Sequence, residues 1–198
     1  NPHRINVEID GRFAFALSDL LAATVRVGQH LSDDAVASLR HRDQAERVYD
    51  RALRFLTYRP RSTAEVTRYL TEKRVPEDLA AATVARLQRA GLLDDAAFAR
   101  YWVENRESFR PRAARALRFE LRRKGLDDET IGTALEGVDE VDGAYRLAAA
   151  QASRLIGVDR DTFRRRLGGY LSRRGYPFET VRETVERLWR ERSGKERG

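Results

Sequence analysis

The residues of this chain best equipped for chemistry are its arginines. Arg112, Arg115, Arg118, Arg122, Arg123 and Lys124 crowd the stretch "RAARALRFELRRK", and Arg164, Arg165, Arg166, Arg173 and Arg174 crowd "RRRLGGYLSRR". Arg59 and Arg61 form a smaller, secondary member of the set in "RPR". A guanidinium is permanently charged and planar, and it meets a carboxylate or a phosphate through two parallel hydrogen bonds. The chemistry on offer is therefore recognition of an anionic partner. For any single Arg, a solvated helix face or a cation complementing a helix C-terminus is the better account. Recurrence of the pattern in two stretches favours a binding surface.

The other candidates for chemistry read as structural. Asp94-Asp95 and Asp127-Asp128 follow turns and precede helical periods, where a carboxylate caps the orphan N–H groups of a helix start. His3, His30 and His41 are scattered, without the helical spacing that zinc requires. Gly168-Gly169 falls inside a helical period and suggests close helix approach rather than a phosphate cradle. Tyr101, Trp102 and Trp189 stand among apolar neighbours at helical spacing, which points to core packing rather than base stacking. There is no phosphate-binding glycine loop, nucleophile elbow or dinucleotide fingerprint. With no Cys anywhere, disulfides and thiolate metal sites are excluded. No catalytic residue, metal ligand or cofactor is expected.

Composition agrees with a polyanionic partner. The net charge is +7, from 38 Lys and Arg against 31 Asp and Glu, and residues 141–198 carry +6 of it. Lys occurs only at 73, 124 and 195, so 35 of the 38 cations are Arg; a biased genome would also produce an Arg- and Ala-rich chain. Hydrophobic content of 41% with 35% charged residues is that of a globular protein. No apolar run approaches the ~20 residues that cross a bilayer. The absence of a charged, apolar leader makes the cytoplasm the expected compartment, and the missing initiator Met is expected to mean that the first residues were trimmed or left out.

Elements must position these residues. "RINVEIDGRFAFAL" alternates apolar and polar residues about Asp10-Gly11, which predicts a β-hairpin with a type I′ turn. Ser18 is placed to cap a short helix carrying Leu20, Leu21 and Val25; Gly28 breaks it and Ser32 caps another. Beyond residue 45 the period is helical. Val48, Ala52, Phe55 and Leu56 share a face that ends near Arg59-Pro60. Ser62 with Glu65 makes a capping box for a helix bearing Val66, Tyr69 and Leu70. Pro76 opens a third helix, which finishes at Gly91.

The pattern then repeats. Aligning Leu70, Leu121 and Leu171 brings Val66, Leu117 and Leu167 into register, then Val84, Leu135 and Val185, and then Leu87, Val138 and Leu188. The helix-ending turn falls at Arg74, Gly125 and Gly175, and the first, lacking glycine, is expected to differ. Copying of one supersecondary unit implies stacked units that bury each other's surfaces. The expected fold is mainly α: elongated tandem three-helix repeats, three units, preceded by a small N-terminal β-hairpin and helix cap. The expected segments are 1–45, 46–95, 96–140 and 141–194.

Four stretches resemble the RecX regulators of the RecA recombinase: "RPRSTAEVTRYL" at 59–70, "GLLDDAAFARYWVENR" at 91–106, "ELRRKGL" at 120–126 and "RLGGYLSRRGY" at 166–176. The resemblance covers roughly 50–190. It departs at Arg74, at Gly168-Gly169 and at "FRPR", 109–112, where family members often carry a glycine turn. It implies a non-enzymatic inhibitor that lies in the groove of the RecA filament on single-stranded DNA, spans neighbouring protomers and suppresses ATP hydrolysis, strand exchange and co-protease activity; a monomer is the expected state. The Arg sets would then meet acidic RecA surface or DNA phosphate. A helical module acting directly on naked DNA is the alternative, followed by a scaffold for another protein and, last, an enzyme.

Overall fold

The computed structural model describes residues 4–195. His3 lies outside them. Strands β1 (Arg4–Ile9) and β2 (Arg12–Ser18) form the antiparallel hairpin, with Asp10 and Gly11 at positive φ in its turn. A bulge at Ala14 shifts the register between Val7 and Glu8. Ten helices follow among the described residues: α1 (Asp19–Ala22), α2 (Asp33–Leu56), α3 (Thr63–Glu72), α4 (Glu77–Arg89), α5 (Asp95–Phe109), α6 (Ala114–Arg123), α7 (Asp128–Leu135), α8 (Glu140–Ala152), α9 (Arg160–Ser172) and α10 (Phe178–Lys195).

The expected caps form. Ser18, Ser32, Asp94 and Asp127 each accept a backbone N–H from the first turn of the helix they precede. The Ser62–Glu65 box closes in both directions, at 3.4 and 3.2 Å. Two details depart from the sequence reading. Helix α1 is a single turn whose Leu20 is exposed: Leu21 enters the small core with Leu17 and Leu39, Ala22 and Val25 pack against it, and Leu20 points to the other side. Helix α2 starts from its Ser32 cap as expected, but it runs unbroken past residue 45 to Leu56, so that one helix of 24 residues carries both the Leu39 contact to the hairpin and the Val48 and Ala52 face of the first repeat.

The residues form two compact units, one made by the chain up to Arg61 together with Val66–Leu93, the other by Ser62–Glu65 with everything from Asp94 onward. In the first, Val48, Ala52, Val66, Leu70, Val84 and Leu87 pack from α2, α3 and α4. Phe55 stacks on Tyr69 at 4.0 Å, and Arg86 of α4 joins α2 through Glu46 at 2.8 Å and the Tyr49 ring. In the second, Phe98, Val103, Leu117, Leu121, Ile131 and Leu135 unite α5–α7, while Ala148, Phe163, Leu167, Leu171, Val185 and Leu188 unite α8–α10. Burying a Leu or Phe side chain contributes roughly 1.5–3 kcal/mol. The aligned residues Val66, Leu117, Leu167, Leu70, Leu121 and Leu171 are all fully shielded from solvent.

The helix-ending turn is the same in all three repeats. The N–H groups of Val75, Leu126 and Tyr176 reach back to the carbonyls of Leu70, Leu121 and Leu171, and residues 74, 125 and 175 have φ of 56°, 84° and 88°. Arg74 thus adopts the left-handed geometry instead of avoiding it. The reason for glycine at the other two is steric: a Cβ at 125 would collide with the Cβ of Ala64, and one at 175 would come within 3.0 Å of that of Ala116. A Cβ added at Gly168 would meet Val181 Cγ1 of α10 at 3.6 Å, an ordinary van der Waals contact, consistent with helix approach. Trp102 and Trp189 pack against Phe98 and Phe163 as expected, whereas Tyr101 is exposed because its helical position faces away from the α5–α7 core.

Candidate functional site

Helix α6 divides its surface by period. Leu117 and Leu121 point inward, and Arg115, Arg118 and Arg122, spaced by three and four residues, share one other face. Arg123 lies over the exposed Phe119 ring at 5.9 Å. In α9, Leu167 and Leu171 point inward, leaving Arg164, Arg165 and Arg166 exposed, with Arg173 and Arg174 in the turn that ends it. Registering the two helices on Leu121 and Leu171 pairs Arg115 with Arg165, Arg123 with Arg173 and Lys124 with Arg174.

The second unit brings these sets together at one recurrent junction. The N–H of Ala113 donates to the carbonyl of Arg174 at 3.2 Å, so the Arg-rich end of α9 abuts the start of α6, beside Arg112 and Arg115. At the corresponding place one repeat earlier, the buried Ser62 hydroxyl donates to the carbonyl of Lys124 at 2.6 Å. Carboxylates complete both junctions. Asp95, the first residue of α5, accepts the N–H of Thr63 at 2.8 Å, and Glu140, the first residue of α8, accepts that of Ala114 at 2.7 Å. Helix α6 has no side-chain cap of its own, so the following repeat supplies it. Helix α9 instead starts one turn earlier in the register and caps itself with Asp159.

The expected binding residues separate into engaged and free groups. Lys124 is held by Glu65 at 2.6 Å and lies over Trp102; it belongs to the junction more than to an outer arc. Arg112 pairs at 3.0 Å with Glu120, which also accepts from Trp102 and Arg106. Arg122 bonds Asp128 at 2.8 Å; that hydrogen bond raises the Arg122 pKa and holds the Asp128 carboxyl below its ordinary range. Arg164 reaches Glu186 at 3.7 Å, and Arg174 stacks on Tyr170 and donates to its carbonyl. Arg59 donates to the Pro60 carbonyl, and Arg61 lies over Phe55 at 4.0 Å. Arg115, Arg118, Arg123, Arg165, Arg166 and Arg173 have no ion pair among the described residues, so their charge is available to a partner.

Sequence reasoning missed the two inter-repeat caps, since Asp95 and Glu140 are remote in sequence from the N–H groups they accept. It also missed Arg47, Arg51, Lys73 and Arg74, which line a cleft of the first unit. The aligned register held a signal for Lys73, which corresponds to Lys124 and Arg174. Among the described residues, no group of His, Asp and Glu is arranged to hold a metal, and no helix is long and apolar enough to cross a membrane.

Known proteins share this arrangement of helices. The model of "RecX, first three-helix domain" matches residues 49–87, and that of "RecX, second three-helix domain" matches 94–135. The chain is 37% identical over 152 residues to the regulatory protein RecX of Streptomyces coelicolor, covering 73% of this chain and 81% of that protein. It is 39% identical over 137 residues to that of Mycobacterium avium, covering 67% and 79%. A crystal structure of regulatory protein RecX superposes with a TM-score of 0.74 at 23% identity, covering 94% of each chain. The structure of RecX from Lactobacillus salivarius gives 0.65 at 21%, covering 74% of this chain and 97% of that one. The structural likenesses extend the agreement in fold beyond the two matched domains.

Proposed function

The chain belongs to the RecX family of regulatory proteins, and on that premise we propose that it is a non-enzymatic negative regulator that binds the RecA filament on single-stranded DNA. Binding in the filament groove would inhibit ATP hydrolysis, strand exchange and co-protease activity, and so moderate recombinational repair and the SOS response in the cytoplasm. A monomer suffices for this role.

One observation carries the reading: the free cations Arg115, Arg123, Arg165 and Arg173 fall at equivalent positions of two helices that meet end to start at the Ala113–Arg174 bond. A filament presents the same protomer surface and the same phosphate repeat again and again, and a surface that repeats its own cations suits such a partner. Guanidinium groups serve acidic protein and phosphate alike, so contact with RecA, with the strand it carries, or with both is within reach of one surface.

Binding to preformed filaments, held by a slowly hydrolysed ATP analogue, should exceed binding to bare single-stranded or duplex DNA across a salt series. Addition of the protein should also suppress ATPase when ATP is supplied. Equal or tighter binding to naked DNA with the ATPase untouched would sink the proposal.

A further inference from the structure

The first unit carries a second basic feature that the repeats do not explain. A surface cleft of about 410 Å³ opens between the hairpin, α2 and the α3–α4 turn, lined by Arg4, Arg40, Arg47, Arg51, Lys73 and Arg74 with Asp43 as its one carboxylate. Asp43 is buried and already taken by Arg4 at 2.7 Å and by the Ser18 N–H at 3.0 Å. Arg40 is fixed over the Phe15 ring and donates to the Ala14 carbonyl. Arg47, Arg51, Lys73 and Arg74 make no ion pair among the described residues. Glu46, beside Arg47 in sequence, is occupied by Arg86.

The turn that forms one wall points the same way. At Gly125 and Gly175 the left-handed turn is covered by Ala64 and Ala116, which a side chain would strike. At Arg74 the turn borders the open cleft, and there the chain carries a cation at φ 56° where glycine would sit without strain. A strained Arg beside Lys73, which lies over the Tyr69 ring at 5.8 Å but has no carboxylate partner among the described residues, together with Arg47 and Arg51 one helical turn apart on α2, is a set of donors suited to an anion.

We propose that this cleft is a nucleic-acid site that takes the phosphodiester backbone of a single strand, separate from the Arg sets of α6 and α9. A single strand is flexible enough to lay its sugar-phosphate chain into a surface cleft lined this way, whereas a duplex is stiff on that scale. Phosphates repeating along a strand can meet both walls, and displaced counterions drive the association. The proposal stands or falls independently of the RecA reading, because it requires no RecA.

The test is a fluorescence-anisotropy titration of the full chain with a labelled oligothymidylate across a salt series, without RecA. Arg47→Glu with Arg51→Glu is expected to weaken binding at least tenfold and to lower the slope of log K against log salt by about 1.4, at ~0.7 for each phosphate no longer neutralised. Arg74→Gly removes a cation while relieving its backbone; it is expected to weaken binding roughly three- to fivefold with no loss of thermal stability, which a melt of the same variant checks. Unchanged affinity and slope in both variants would overturn the site. A duplex of equal length that competes as well as the single strand would overturn the strand assignment. Polyglutamate that competes as well, charge for charge, would mark an acidic-protein surface instead and likewise overturn it.

Discussion

The Glu140 carboxylate accepts the backbone N–H of Ala114 at 2.7 Å, so the helix that carries the densest Arg cluster is capped by the repeat that follows it. Asp95 and Thr63 stand in the same relation at 2.8 Å. A cap supplied across a junction couples formation of one helix to docking of the next. Glu140→Ala should therefore cost about 1 kcal/mol, read as a lower urea midpoint, with Glu140→Gln recovering part of the loss because its amide oxygen still accepts. An alanine variant as stable as the parent would remove the cap from the account.

The glycine turns provide a sharper contrast. Gly125→Ala must force a side chain into Ala64 at a positive φ, and is expected to destabilise by roughly 3 kcal/mol. Arg74→Gly, at the same place in the first repeat, should be neutral or stabilising by up to about 1 kcal/mol. Paired denaturant melts decide this, and equal losses at both positions would mean that junction packing does not explain the glycines.

For the proposed partner surface, Arg115→Glu, Arg122→Glu and Arg173→Glu combined should reduce affinity for the RecA filament at least tenfold, equivalent to ~1.4 kcal/mol. The variant should keep its helical circular dichroism, because Arg115 and Arg173 have no ion pair to lose and the Arg122–Asp128 pair is more than half exposed on both sides. A folded variant with parental affinity would exclude these residues from the interface.

Tyr176 links packing to pH. Its ring is buried, its hydroxyl makes no hydrogen bond to the protein among the described residues, and burial, with Glu140 nearby, pushes its pKa from 10.0 up to about 12. The folded state therefore resists ionisation that the unfolded chain accepts. Stability from this source is complete below pH 10 and is lost as pH rises from 10 towards 12. Tyr176→Phe should flatten that alkaline loss and, by removing a buried unpaired hydroxyl, raise stability at neutral pH by about 1 kcal/mol. Thermal unfolding across neutral to alkaline pH checks both parts; an unchanged alkaline slope would assign the loss to other groups.

Much of this protein is legible in its residue order, and the reason is locality. Alternation about Asp10-Gly11, the Ser62–Glu65 box, the caps at Asp94 and Asp127 and the register of Leu70, Leu121 and Leu171 all concern groups within a few residues of each other, or one period copied along the chain. The clusters of Arg on α6 and α9 were visible for the same reason. Tertiary structure alone decided which cations remain available. Lys124 is taken by Glu65, 59 positions away, and Arg112 by a Glu120 that Trp102 and Arg106 also hold. The cleft joining Arg47 and Arg51 to Lys73 and Arg74 likewise exists only once α2 and the α3–α4 turn have packed. A charge is a property of one residue, but its freedom depends on which carboxylates and rings the fold places beside it.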